Sequence, residues 1–258
     1  MGYIFDFNDA KAFDKWYLNP QNRLVADLEC RLMIDMLRPK SGESALEIGC
    51  GTGISCLPLI DRGLQLTGLD PSPYMLDIAF GNVKNRVDLH RGFAEDLPFK
   101  DNQFNYAFFV STLSFVDNHK KAIEEACRVA KDKVFIGLLS RYAINSALRK
   151  GGGKKLSQKG MLPEAYRYAK YYSVWELKQI FRSLLGNVPT SWRTIRYFPV
   201  GSGKKIHRIE RFKLLQKFPF GSYAGIVVTL MPRFRTRPLP LKYSLKCAAG
   251  NSGNVLVG

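Results

Sequence analysis

A chain of 258 residues that is 46% hydrophobic can bury one large core, so a single α/β domain with additions is expected over several independent units. The start of the chain carries Asp6, Asp9 and Asp14 in place of an apolar run behind a basic end, and no stretch reaches about 18 uninterrupted apolar residues, which argues against a leader or spanning helix and predicts a cytoplasmic protein. Five cysteines (Cys30, Cys50, Cys56, Cys127, Cys247) without a CxxC pair argue against both a disulfide framework and a zinc site, so reduced thiols and no metal are expected.

The net charge of +17 is unevenly placed. Residues 1–150 hold 19 Lys and Arg against 19 Asp and Glu, whereas residues 151–258 hold 20 Lys and Arg against only Glu164, Glu176 and Glu210. The whole excess therefore sits downstream, where it would attract an anionic partner.

In chain order, Ala10–Leu37 has apolar residues at helical spacing interrupted by Asn19-Pro20, which predicts two helices with a joint. From residue 44 to about 139, short aliphatic runs alternate with helical patterns, the signature of βαβ units and a parallel sheet. Strands are expected near Ser44–Ile48, Gln65–Leu69, Val87–His90, Phe104–Val110 and Lys133–Leu139. Helices are expected to begin near Gly53, Ser72 and Asp117, with Asp117 as an N-cap and Pro73 in the first turn after Ser72. The Gly-, Lys- and Tyr-rich stretch 140–172 reads as an insertion and candidate lid. Then follow a helix over Ser173–Leu185, a strand over Thr194–Phe198, a basic amphipathic helix over Lys204–Lys217 and a strand over Tyr223–Met231, the last two strands pairing antiparallel at a sheet edge. Pro, Arg and Gly dominate from residue 232 onward, with Asn251-Ser252-Gly253-Asn254 as a loose end.

The chemistry-bearing motif is Leu46-Glu47-Ile48-Gly49-Cys50-Gly51-Thr52-Gly53, a strand running into a glycine turn and a helix. Glycines let the backbone approach a ligand, and a nucleotide-like group is expected at the carboxyl end of the first strand. The G-x-G-x-G spacing, with Ile54 in the sixth position, disfavours a dinucleotide, and there is no Lys-Ser/Thr pair for a P-loop. Asp70, 17 residues after Gly53, can place a carboxylate against two vicinal ribose hydroxyls. The plainer alternative is that Asp70-Pro71-Ser72 caps the next helix. After the third strand, Gly92-Phe93-Ala94-Glu95-Asp96-Leu97-Pro98-Phe99 brings two further carboxylates towards the same crevice.

These segments, LEIGCGTG, then LTGLDPSPYML, then GFAEDLPFKDNQF, resemble in order and spacing the class I S-adenosylmethionine-dependent methyltransferases of the ubiquinone and menaquinone methyltransferase group. The resemblance covers residues 40–140 well and the rest loosely. It implies a doubly wound, Rossmann-like, mostly parallel seven-stranded sheet with an antiparallel edge strand, N-terminal covering helices and a basic insertion after the fifth strand. One domain is expected, with covering helices over 1–40, a cofactor-binding core over 41–140, the insertion over 141–172, the remaining sheet and helices over 173–232 and a basic tail over 233–258. The resemblance further implies S-adenosylmethionine, with Glu47 towards its amino-acid end, Gly49, Gly51 and Gly53 beneath it, Asp70 on the ribose, Phe93, Ala94 and Glu95 beside the adenine, and Val110 near the sulfonium. The run Phe13-Asp14-Lys15-Trp16-Tyr17 is similar to the family's covering helix. Asn105 departs from the pattern, where an Asp after the aromatic is common, and no ligand contact is expected of it.

Methyl transfer from a sulfonium is an in-line displacement in which positioning alone can supply about 7–11 kcal/mol, so a catalytic constellation is not required, and no general base is assigned. His119 is read first as a solvated helix-start residue. Tyr17, Arg141, Tyr142 and Asn145 lie where acceptor contacts arise in open α/β sheets. Val110-Ser111-Thr112-Leu113 lacks the Asn/Asp-Pro-Pro-aromatic tetrad of the resembling amine- and amide-methylating enzymes. A small anionic or lipophilic acceptor is the primary expectation. The alternative is a basic RNA-binding protein or RNA methyltransferase, with Tyr166, Tyr168, Tyr171 and Tyr172 for stacking. The Lys204–Phe220 stretch admits two readings: packing on the sheet with solvated charges, or lying on an anionic membrane with Ile206, Ile209, Leu214 and Phe218 inward.

Overall fold

In the computed structural model, which describes residues 2–141, 164–197 and 212–230, strands and helices alternate as the periodicity requires. Two helices, α1 (Phe7–Leu18) and α2 (Pro20–Leu37), precede β1 (Ser44–Ile48), α3 (Leu57–Ile60), β2 (Gln65–Asp70), α4 (Pro73–Val83), β3 (Val87–Arg91), β4 (Phe104–Val110), α5 (His119–Val129), β5 (Ala130–Leu139), α6 (Val174–Leu185), β6 (Thr190–Ile195) and β7 (Tyr223–Thr229). The strands form one sheet in the order β3-β2-β1-β4-β5-β7-β6. Strands β1 to β5 pair in parallel, and β7 runs antiparallel to both β5 and β6. The antiparallel strand thus lies one place inside the edge, which β6 occupies.

The sheet separates two apolar cores because successive side chains of a strand face opposite ways. Phe109, Ile136 and Val228 pack with α5 and α6 on one face, while Phe108, Phe135 and Val227 pack with Leu32, Met33 and Leu37 of α2 on the other. At the joint of the first two helices Asn19 is extended and its side chain accepts the Gln21 N–H (2.9 Å), while Pro20 opens α2 without needing a donor. No helix among the described residues is long and apolar enough to cross a membrane.

Several boundaries differ from expectation for local reasons. The N-cap of α5 is Asn118, whose side chain accepts the Lys121 N–H, and not Asp117. The helix expected from Gly53 is only a 3-10 turn (Ile54–Cys56) leading into the four residues of α3. Strand β6 begins four residues earlier than expected, because Thr190 pairs with Val228. Of the expected Lys204–Lys217 helix, residues 204–211 lie outside the described residues, and the rest carries only a 3-10 turn at Leu215–Lys217. There Phe212 and Leu214 are exposed, so this part does not pack its apolar side chains on the sheet. Asn105 is a staple between strands: its Oδ1 accepts the Ser44 N–H (3.1 Å) and its Nδ2 donates to Asp132 (2.9 Å), joining β1 to β4 and β5.

A nearly buried ion pair ties α2 to the sheet edge. Arg196, held at φ 64° just after β6, donates from Nη1 to Glu29 Oε1 at 2.8 Å, with the two side chains 13% and 12% exposed. Removing the carboxylate leaves a guanidinium in a site where solvation cannot replace it, so Glu29→Ala is expected to cost roughly 3 kcal/mol and Glu29→Gln distinctly less. Urea denaturation of the two variants beside the wild type checks this ordering.

Candidate functional site

Segments from the start of the chain, from the turns after the first strands and from around Tyr166 meet beyond the carboxyl ends of β1, β2 and β4 and enclose a cleft of about 910 Å³, mouth included. Its floor is the turn after β1. The N–H groups of Gly49 and Cys50 both donate to the Leu69 carbonyl (2.6 and 3.0 Å), binding the turn to β2. Gly49 has φ 73°, and a Cβ there would lie 2.0 Å from Thr112 Cγ2, so only glycine lets the segment after β4 close on the turn. Thr112 completes that contact by donating its hydroxyl to the Gly49 carbonyl (2.9 Å). Above Gly51 the nearest atom to an added Cβ is Met75 Sδ at 4.0 Å, so the space over this backbone belongs to the cleft.

Asp70 holds the two sides of the crevice together. Its Oδ2 accepts the Gly51 N–H and its Oδ1 accepts the Ser72 N–H, each at 2.9 Å, so the side chain both grips the glycine turn and supports the start of α4. Ligand and capping readings are therefore compatible, since each oxygen keeps acceptor capacity towards the cleft. Burial pushes its carboxyl up to about 6 against those two hydrogen bonds. Glu47, fully buried, accepts from the Ser55 hydroxyl (2.5 Å) and the Cys56 thiol (2.9 Å), and burial pushes it up to about 7. Glu95 accepts the Asp117 and Asn118 N–H groups (3.1 and 3.2 Å) at the start of α5.

The residues expected at the site are gathered with one exception among the cofactor group. Glu47, Gly49, Gly51, Asp70, Phe93, Ala94, Glu95 and Val110 line the cleft, as does Tyr17. Gly53 does not: at φ 73° it gives α4 its close approach, since a Cβ would lie 2.9 Å from Val83 Cγ1. Arg141 is drawn away from the cleft, paired with Glu176 (2.7 Å) and donating to the Tyr171 carbonyl. Tyr142 and Asn145 lie outside the described residues, as does most of the candidate lid. His119 packs its ring on Tyr172 (centroids 4.9 Å apart) away from the lining, and burial followed by the nearby Lys170 charge lowers its pKa.

An aromatic vestibule escaped the sequence reading. Tyr3 and Phe5 cross the mouth, fixed by Tyr3 N–H donating to the Phe115 carbonyl (2.9 Å) and Ser72 donating to the Phe5 carbonyl (2.6 Å). Phe13, Phe115 and Tyr166 complete the wall, with Phe5 edge-on to Phe115 (4.9 Å) and Tyr166 edge-on to Phe115 (5.2 Å). Short irregular segments carry no periodicity, so no local signal announced Tyr3 or Phe5. Among the described lining residues there are three carboxylates and no Lys, Arg or His. The tyrosines considered for RNA stacking are mostly committed elsewhere: Tyr166 lines the cleft, Tyr172 is buried, and the exposed Tyr168 stacks on Tyr3 (4.8 Å).

A backbone cradle, a buried carboxylate at the end of β2, and negative charge without a described counter-cation suit a nucleoside that carries positive charge. The chain is a class I S-adenosylmethionine-dependent methyltransferase. Residues 46–136 match the methyltransferase domain family. An uncharacterised protein of Methanocaldococcus jannaschii is 28% identical over 225 residues, covering 86% of this chain and 97% of that protein. A demethylmenaquinone methyltransferase of Renibacterium salmoninarum is 36% identical over 101 residues, which is 39% of this chain and 42% of that enzyme. Among solved structures, a Thermotoga maritima S-adenosylmethionine-dependent methyltransferase, described as a possible histamine N-methyltransferase, is 25% identical with a TM-score of 0.69 over 88% of this chain and 99% of its own. S-adenosylmethionine is accordingly the methyl donor.

A carboxyl whose pKa is higher in the folded than in the unfolded chain binds more protons when folded. Its stabilising contribution is complete below the unfolded value and lost as pH rises through the folded one. Glu47 is raised from 4.5 to about 7 and Asp70 from 3.8 to about 6. The ligand-free protein is therefore expected to lose stability as pH rises from about 4 to 7, and Glu47→Gln to flatten the upper part of that slope. Thermal denaturation across the range tests it, and an unchanged slope in the variant would assign the effect to other groups.

Proposed function

We propose that the cleft holds S-adenosylmethionine along the residues gathered from β1 to β4 and transfers its methyl group to a small lipophilic acceptor. The observation that carries the acceptor reading is the vestibule of Tyr3, Phe5, Phe13, Tyr17, Phe115 and Tyr166, an apolar wall without a described cation. In this reading Gly49 and Gly51 present backbone to the cofactor, while Gly53 supports the turn from behind. Glu47 faces the amino-acid end, Asp70 the ribose, Phe93, Ala94 and Glu95 the adenine, and Val110 the sulfonium side.

S-adenosylmethionine supplies an electrophilic methyl group on a positively charged sulfur. The protein's contribution is to bind, to exclude water and to hold the acceptor in line, which can account for about 7–11 kcal/mol of barrier reduction. Tyr17 is placed to orient the acceptor: it lies between the main cleft and a smaller adjoining cavity of about 340 Å³, with Ile54, Ser55 and Val110 shared by both. Demethylmenaquinone, for which several relatives are named, gives the first acceptor class to screen.

Asp70→Asn is expected to weaken S-adenosylhomocysteine binding at least about tenfold, because charge-assisted hydrogen bonds contribute about 1.5–3 kcal/mol each. Calorimetric titration measures it, with circular dichroism to show that the fold persists. Unchanged affinity in the variant would remove Asp70 from the cofactor site. A methylation screen then separates acceptors: turnover of quinone-like compounds in preference to carboxylated or phosphorylated ones supports the lipophilic reading, and the reverse order refutes it.

A further inference from the structure

The loop that enters β7 leaves its apolar side chains in water while its backbone is tied down. Tyr197 donates its hydroxyl to the Leu215 and Phe218 carbonyls (2.6 Å each), Thr194 donates to the Phe218 carbonyl, and Gln216 is buried. Yet Phe212 is 66% exposed, Leu214 75%, Phe218 53% and Phe220 69%. An anchored loop that presents four large apolar side chains within nine residues is a recognition surface, since isolated exposed apolar residues are ordinary and clustered ones are not.

Lys213 and Lys217 are interleaved with these residues and exposed. They belong to the half of the chain that carries its entire positive excess. A second copy of the chain on this patch would set like charges opposite each other in a self-complementary contact. Apolar tips flanked by lysines instead match the interface of an anionic bilayer, where the rings sink among the acyl chains and the ammonium groups reach the headgroups.

The position of the loop gives such docking a use. Tyr223, the first residue of β7, pairs with Leu139 at the carboxyl end of β5 and with Ile195 at the end of β6. The patch therefore emerges from the same end of the sheet at which the cleft opens. We propose that residues 212–220 form a peripheral docking surface for anionic lipid, holding the cleft at a membrane from which a lipophilic acceptor can enter. The docking rests on the patch itself, and only its link to acceptor entry rests on the acceptor reading above.

The test is sedimentation of the full chain with phosphatidylcholine vesicles with and without about 30 mol% phosphatidylglycerol. The expected result is binding to the anionic vesicles alone, falling at least tenfold in a Phe212→Ser/Leu214→Ser/Phe218→Ser/Phe220→Ser variant. A Lys213→Gln/Lys217→Gln variant, which leaves the apolar side chains in place, should lose about thirtyfold. S-adenosylhomocysteine titration of the same variants should remain at the wild-type value, which separates failure of docking from failure of the cofactor site. No binding of the wild type to anionic vesicles, equal binding by all three proteins, or a concentration-dependent dimer abolished by the serine substitutions would overturn the proposal, the last by assigning the patch to a second copy.

Discussion

The two oxygens of Asp70 are the point on which the site depends. One accepts from Gly51 in the turn after β1 and the other from Ser72 at the start of α4, so a single buried carboxylate sets the distance between the first two βα connections. The parallel pairing of β1 with β2 brings these connections side by side, with Ile48 opposite Leu69. Without that side chain the turn would present N–H groups to the crevice with no fixed acceptor behind them. Desolvating a carboxylate to this degree is costly, and the raised pKa values of Asp70 and Glu47 express that cost.

The rest of the cleft is assembled from remote pieces against this frame. Thr112 after β4 closes on Gly49, residues 2–5 cross the mouth between Phe115 and Ser72, and Tyr166 arrives from the insertion after β5. The result divides in character: carboxylates and backbone on the side of β1 and β2, aromatic rings on the side of α1 and β4. That division is what a methyltransferase needs, because the polar donor and the acceptor must be recognised by different chemistry while their reacting atoms meet in line.

Among the described residues, positive charge lies outside the cleft lining. The described lining carries no cation, while Arg141 is spent on Glu176 and the Tyr171 carbonyl, and Arg196 on Glu29. The exposed rings and lysines of residues 212–220 are likewise no part of that lining.

The parallel core was legible in the sequence because each strand and helix there is stabilised by its own period. All of the first five strands were found near their observed positions, and the glycine turn, Asp70 and the Phe93–Glu95 segment fell in one cleft as their spacing implied. What the sequence could not express is contact between segments lacking periodicity: Tyr3 and Phe5 over the mouth, the capture of Arg141 by Glu176, and the close packing of Gly53 on Val83 of α4. Whether Leu214 and Phe218 pack on the sheet or face outward was left open in the sequence, since helical spacing serves both until the fold shows that the loop is pinned through carbonyls with these side chains exposed. Local periodicity determined the sheet and the cofactor turn; only tertiary structure decided which side chains close the cleft and which face outward, because those outcomes depend on partners distant in the chain.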